Sequence, residues 1–278
     1  MSRGDLKIQG ARAVVTGAGS GIGRSLAIEL AHRGAAEVVV TDVDGDRASS
    51  VAAEVSALGA DARSLVLDVT DADAVEVLAE DLFSDGKPVT ILCNNAGIGH
   101  AGPVAETPLE DWRRVIEVNL MGVVHGVSAF VPRMVAAGRP AHIINTASMA
   151  GLVATANMAP YSATKFAVVG LSEAMSLELE PKNIGVTALC PGFIDTDIVN
   201  TSTMRGEMAE RQEGFKRFYS TRGTSPDVVA RQALDTVGGR GGITPTPRYQ
   251  VTPAWLMARY APPLSRAVSR LTIKRLGR

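Results

Sequence analysis

The sequence predicts a doubly wound α/β fold of the Rossmann-like kind, a mostly parallel sheet with helices on both faces. Three observations predict it. Short apolar runs alternate with segments of helical periodicity, the turn after the first run is TGAGSGIG at residues 16–23, and Asp42 closes the second run. Strands covered on both faces by crossover helices pair in parallel and read as nearly continuous apolar stretches.

Taken in order, AVVTG at 13–17 is the first strand, and the helix after Gly21 carries Ile22, Leu26, Leu30 and Ala31 at near-helical spacing. EVVVTD at 37–42 is the second strand, followed by a helix through Ala57 that Gly59 stops. RSLVLDV at 63–69 gives strand three, and residues 72–83 the next helix. Strand four lies within VTILCNNAG at 89–97, a long helix covers 109–136, and HIINTAS at 142–148 is strand five. A second long helix over 160–180 leads into GVTALCPG, and a last strand is expected near 247–252. No internal repeat rises above this alternation.

The 278 residues suffice for a substantial core in one domain, and no Ser/Gly-rich linker or charged low-complexity run divides them. With 28 basic and 29 acidic residues the formal charge is −1, which supplies no global field for nucleic acid. Cys93 and Cys190 lie in apolar surroundings without paired metal-ligand spacing, which favours buried thiols over a disulfide or zinc site. No metal is expected, and the four histidines are scattered. The first residues lack a signal-like apolar run and no uncharged stretch reaches the roughly 18 residues of a membrane span, so a cytoplasmic location is expected.

In TGAGSGIG the glycines permit a tight turn and close backbone approach, while the following helix presents unpaired N–H groups to a pyrophosphate. Asp42 is placed to accept hydrogen bonds from an adenosine ribose and to repel a 2′-phosphate. This favours NAD over NADP, although Arg47 nearby offers the phosphorylated cofactor a partner. Asp44 and Asp46 read as solvated loop or cap residues. Tyr161 and Lys165, spaced i,i+4, share a helix face, so an ammonium beside a phenol would favour the ionised form; Ser148 stands between this pair and the glycine motif. Asn119 lies in an otherwise apolar helix, where a buried amide needs partners.

These residues together, with Asn94-Asn95-Ala96-Gly97 and Pro191-Gly192 in order, resemble the short-chain dehydrogenase/reductase family over about residues 8–242. YxxxK alone is a weak signal, and the ordered set is a strong one. The resemblance implies catalytic roles for Asn119, Ser148, Tyr161 and Lys165. Tyr161 is the base in alcohol oxidation and the acid in carbonyl reduction, Ser148 positions the reacting oxygen, Lys165 also contacts the nicotinamide ribose, and Asn119 holds a water that extends the proton path. It further implies a cofactor site of Gly17, Gly19, Ser20, Gly21, Ile22, Gly23, Asp42, Val43, Asp68, Val69, Asn95, Ala96, Gly97, Tyr161, Lys165, Pro191, Gly192, Ile194 and Thr196. Asp68 matches the adenine-holding position and Thr196 the one near the carboxamide.

The substrate side is expected to use Ser148, Met149, Val153, Met158, Tyr161 and Phe193, with Gly99, His100 and Ala154 nearby. An apolar pocket there suits a secondary alcohol or ketone on a hydrophobic skeleton, and ordinary packing under a loop explains any one of these residues as well. Residues 197–225 match a substrate-covering segment in the family, and a lid is favoured there over two surface helices. Residues 253–278 depart from the family pattern. Trp255, Leu256, Met257, Tyr260, Leu264, Val268, Leu271 and Ile273 alternate with Arg259, Arg266, Arg270, Lys274 and Arg275, and Pro262-Pro263 forbids one continuous helix. Packing on another subunit of a homodimer or homotetramer, or on the domain itself, is favoured for this basic extension, with peripheral membrane contact as the alternative.

Overall fold

A computed structural model describes residues 6–276, and the side chains of residues 6–270. Seven strands form one parallel sheet: β1 (Arg12–Thr16), β2 (Glu37–Asp42), β3 (Asp61–Val66), β4 (Ile91–Asn94), β6 (Ala141–Thr146), β7 (Ile184–Pro191) and β9 (Gly241–Thr246). Their spatial order is β3-β2-β1-β4-β6-β7-β9, so the chain winds outward from β1 in one direction and then, from β4, in the other. The reversal between β1 and β4 opens a crevice at the carboxyl ends of the strands, the place where open α/β sheets take ligands. A separate two-stranded ladder pairs β5 (His100–Ala101) with β8 (Thr203–Met204).

One face of the sheet is covered by α1 (Gly21–His32), α2 (Gly45–Ala57) and α10 (Pro226–Leu234), whose Leu26, Leu30, Val51, Val55, Val229 and Leu234 join Val15 and Val38 in one core cluster. The other is covered by α3 (Ala72–Ser84), α5 (Gly122–Ala137) and α6 (Ala159–Leu179), with Leu82, Phe130, Met134 and Met175 against Val14, Leu92 and Ile143. Each fully buried Leu or Phe contributes roughly 1.5–3 kcal/mol relative to exposure.

The helix expected over 109–136 runs from Leu109 to Ala137 as α4 (Leu109–Ile116), a π turn at Glu117–Met121 and α5, ending at Gly138 in the left-handed region (φ 62°). It is long and apolar enough to cross a membrane, and Val123, Ala129, Phe130 and Met134 bury its apolar stripe on the sheet.

Two strands depart from expectation. β3 ends at Val66, because it is an edge strand with little burial, and the apolar residues that suggested 63–69, Leu67 and Val69, are buried in the loop beyond it. The last strand is 241–246, not 247–252. Its Gly241-Gly242 and Pro245 hide it from pattern reading, yet β9 pairs only with β7, and a proline is tolerated on an edge. Residues 248–260 form a helix instead, α11 (Arg248–Tyr260), followed after Ala261 by α12 (Pro262–Leu276). The break falls at the proline pair, and α12 packs on α11. A third core cluster gathers Val123, Leu152, Val168, Val169 and Cys190 with Val251 of α11; of the tail anchors, Trp255 packs on it, whereas Leu256, Tyr260, Leu264 and Val268 are exposed. The side chains of Leu271, Ile273, Lys274 and Arg275 lie outside the described residues.

The remaining elements, α7 (Ile198–Thr201), β8, α8 (Glu207–Glu210) and α9 (Gln212–Arg222), fill the segment between β7 and α10.

Candidate active site

The glycine turn leaves β1 at Thr16. Gly17 has φ 61°, and a Cβ there would stand 2.7 Å from Ala96 Cα; a Cβ at Gly23 would collide with the Gly17 carbonyl. Neither position accepts a side chain without moving backbone. Ser20 precedes α1 in extended conformation and makes no side-chain cap, and the first turn of this 12-residue helix holds no acidic residue. Its leading N–H groups and the positive end of its dipole therefore face the crevice, with Ile22 packed below on the core. This cradle fits a dinucleotide pyrophosphate.

Asp42, at the end of β2, accepts from Gly19 N (2.8 Å) and from Asp44 N (3.0 Å). Each oxygen keeps a lone pair for a ribose hydroxyl. Asp44 caps α2 through Asp46 N and Arg47 N and pairs with Arg47 at 3.0 Å. Arg47 Cβ would be 2.7 Å from a Cβ at Gly19, so Arg47 and Asp42 flank the same glycine. Val43 is 69% exposed beside them. Asp68 is exposed and accepts from Thr70 N (2.9 Å) and Thr70 Oγ1 (2.8 Å), while Val69 is buried and its carbonyl meets His125 Nδ1 at 2.8 Å.

Thr16 Oγ1 accepts from Asn95 N (3.0 Å) and Ala96 N (3.1 Å). The Asn95 amide donates to Thr16 O (3.0 Å) and Gly17 O (3.2 Å), and its oxygen accepts from Thr146 Oγ1 (3.2 Å). Asn95 thus ties β1, the glycine turn and β6 together and shapes the wall through the backbone. Opposite, Gly192 N donates to Thr246 O (2.9 Å) after Pro191, and Phe193 N donates to Gln250 Oε1 (2.8 Å) on α11. Ile194 is buried and bridges to Thr224, and a Cβ at Gly21 would come within 3.1 Å of the Thr196 methyl, so this turn folds back over the cradle.

Beyond the cradle, Tyr161 and Lys165 share a buried face of α6, at 8% and 3% exposure. Lys165 Nζ donates to Thr146 O (2.8 Å) and stands 5.7 Å from the Tyr161 ring centroid. A Cβ at Gly97 would lie 3.5 Å from Nζ and 3.1 Å from Asn119 Oδ1, which places both beside the cofactor wall. Ser148, just past β6, accepts from Ala150 N (3.1 Å) and lies against the Tyr161 hydroxyl. Burial raises the phenol above its ordinary value, with the Ser148 hydrogen bond opposing; burial also lowers Lys165 to about 8. The expectation that the ammonium ionises the phenol is thus outweighed in the free chain, because desolvation penalises both charges.

Asn119 sits in the π turn, fully buried, accepting from Ile98 N (2.8 Å) and donating to Ile98 O (2.9 Å). One N–H and one lone pair remain for a further partner such as water. π turns recur at functional sites.

On the substrate side, Met149 and Val153 pack partly on the third core cluster, and Met158 is half-buried just before α6. Ala154 is exposed, and His100 is not a pocket wall, being 1% exposed and set against Asp111. Phe193 meets Phe218 edge-on (5.3 Å, 90°) and Tyr219 (5.7 Å, 84°), both from α9. Burial, with Tyr161 adding to it, pushes Tyr219 up to about 12. Sequence reasoning missed Tyr219 and Gln250, whose spacing carries no motif; the misplaced last strand concealed the second. Cys93 and Cys190 are separate buried thiols, each pushed up to about 12 by burial. Among the described residues no group of three or more His, Cys, Asp or Glu is placed to hold a metal.

The family model for short chain dehydrogenases matches residues 11–206. A probable oxidoreductase of Mycobacterium tuberculosis, EphD, is 38% identical over 265 residues, covering 93% of this chain and 44% of its own length. The chain therefore spans less than half of that relative. A 1-deoxy-11-beta-hydroxypentalenate dehydrogenase of Streptomyces exfoliatus is 37% identical over 266 residues, covering 90% of this chain and 96% of the relative. A short chain dehydrogenase/reductase of Burkholderia phymatum, solved in complex with NAD, superposes with a TM-score of 0.86 at 30% identity, covering 93% of this chain and 96% of the other.

Proposed function

The chain belongs to the short-chain dehydrogenase/reductase family, and from that premise we propose that it is an NAD-linked oxidoreductase interconverting a hydrophobic secondary alcohol and its ketone. The observation that carries this reading is the buried Tyr161–Lys165 pair beside Ser148, joined to the glycine cradle through Gly97 and Asn119. A protein that only sensed a dinucleotide would need the cradle but not a proton-transferring group.

In the forward direction the ionised Tyr161 oxygen takes the alcohol proton while Ser148 donates a hydrogen bond to the reacting oxygen. The chemistry that a bound NAD would supply is acceptance of the hydride from the carbinol carbon. Lys165 is held by Thr146 O with two further N–H donors for ribose, and the Ser148 hydrogen bond opposes the burial that raises Tyr161. In reduction the phenol returns its proton to the carbonyl oxygen. The cradle residues Gly17, Gly19, Ser20, Gly21, Ile22 and Gly23 would hold the pyrophosphate, Asp42 the adenosine ribose, Val43, Asp68 and Val69 the adenine surroundings, and Pro191, Gly192, Ile194 and Thr196 the nicotinamide end.

The apolar lining by Met149, Val153, Met158 and Phe193 supports a hydrocarbon skeleton, as does similarity to a dehydrogenase named for hydroxypentalenate. All these parts lie within one catalytic domain in this reading. A cofactor-coupled screen of secondary alcohols and ketones, followed by absorbance of reduced nicotinamide, tests it. Turnover of apolar secondary alcohols with NAD is expected, and no turnover of any alcohol or ketone with either nicotinamide dinucleotide would overturn it.

A further inference from the structure

Outside the catalytic set, one polar cluster joins the 197–225 segment to the body of the molecule. Arg205, just after β8, donates through Nε to Asp111 Oδ2 (2.8 Å) and through a terminal nitrogen to Asp111 Oδ1 (3.0 Å), a bidentate fork. Asp111 lies in the first turn of α4 and is buried, and its Oδ2 also meets Nε2 of buried His100 at 3.2 Å. The guanidinium holds the Asp111 carboxyl below its ordinary value, with His100 adding to it and burial opposing.

Backbone pairing brings the same parts together. Thr203 N donates to Gly99 O (3.2 Å) and Arg205 N to Ala101 O (2.9 Å). Gly102 N donates to Asn157 O (2.7 Å), and Asn157 Nδ2 meets Met208 Sδ at 3.3 Å. The body offers flat seats for this contact: a Cβ at Gly102 would be 2.7 Å from Arg205 Cβ, and one at Gly99 would collide with the Ser202 hydroxyl. Downstream, the same segment carries Phe218 and Tyr219 onto Phe193. It is therefore fastened on both sides of α8, by the β5–β8 ladder and the Arg205–Asp111 fork before it and by the ring contacts on Phe193 after it.

We propose that Arg205 is a positioning residue for substrate: paired with Asp111, it latches the 197–225 segment so that Phe218 and Tyr219 stand with Phe193 as a wall for an apolar, ring-containing substrate. The proposal rests on the oxidoreductase reading for its substrate and on local geometry for the latch. Flat hydrocarbon or aromatic rings match such a wall because edge and face contacts among rings need fixed orientations. Asp111 stays charged and buried, so losing the fork also leaves a carboxylate with only His100 beside it. Lysine at 205 would keep the charge and lose the fork.

The experiment compares the intact chain with Arg205→Ala and Arg205→Lys by two readouts: amide hydrogen exchange across 198–222, and steady-state kinetics on a ring-containing secondary alcohol that passes the screen. Arg205→Ala is expected to speed exchange across that segment and raise KM by roughly tenfold or more, with kcat and NAD affinity within about twofold. Arg205→Lys should recover part of both effects. Unchanged exchange with unchanged KM would overturn the latch, as would equal losses in KM, kcat and NAD affinity, which mark general support of the fold. If the intact chain turns over no alcohol, the oxidoreductase reading fails and exchange alone decides the latch.

Discussion

Replacing Asp42 by alanine perturbs the group proposed to separate two cofactors differing by a phosphate. Asp42 is half-buried at the end of β2, with one oxygen on Gly19 N and the other on Asp44 N. Two unit charges about 4 Å apart interact by about 1 kcal/mol in water and about 4 kcal/mol at the effective dielectric near a protein surface. A 2′-phosphate in this environment therefore loses roughly fivefold to a thousandfold relative to a hydroxyl. Alanine removes that repulsion and leaves Arg47, which flanks the same glycine and pairs with Asp44. It also removes two accepted hydrogen bonds, each contributing about 1 kcal/mol net, so NAD affinity falls as NADP use rises. The assay is kcat/KM with each dinucleotide on one secondary alcohol, with calorimetric binding to locate the effect. The ratio should favour NAD in the unmodified chain and shrink by roughly fivefold or more in the variant. Equal use of both cofactors by the unmodified chain, or an unchanged ratio in Asp42→Ala, would refute the reasoning.

Two further outcomes follow from buried or unusual parts. His142 in β6 is lowered from 6.5 to about 4 by burial; its Nε2 meets Thr187 Oγ1 at 2.9 Å and its Nδ1 has no hydrogen-bond partner among the described residues. The unfolded chain therefore binds the extra proton first, and up to about 3 kcal/mol of stability, fully present above pH 6.5, is lost as pH falls toward 4. Denaturant melts of the native chain and of His142→Gln should diverge across that window, and parallel pH profiles would contradict it. Deletion after Val251 is expected to lower oligomer mass or stability, because α11 packs Trp255 on the core and leaves Leu256, Tyr260 and Leu264 exposed for a second subunit. Sedimentation of the intact chain with anionic vesicles, combined with unchanged mass after deletion, would assign those side chains to lipid instead.

Much of this molecule was legible in the sequence because the informative signals were local. Alternating apolar runs gave the strands buried on both faces, and the glycine spacing marked the cradle before any contact was known. What escaped depends on contacts distant in the chain. β9 is stabilised by pairing with β7 despite glycine and proline, so its residues do not look like a strand. Gln250 props the Pro191–Gly192 turn from a helix read as strand, and Arg205 meets Asp111 across 94 positions. The phenol's raised pKa was hidden too, since sequence supplies the neighbour at i+4 but not the depth of burial.

The central claim, that Tyr161 transfers the proton, is tested most directly by Tyr161→Phe, which keeps the ring in its buried site and removes the hydroxyl. Single-turnover absorbance of reduced nicotinamide should show hydride transfer slowed by roughly 10²–10⁴-fold, with NAD affinity within a few-fold of the unmodified chain. Hydride transfer at an ordinary rate in this variant would contradict the account.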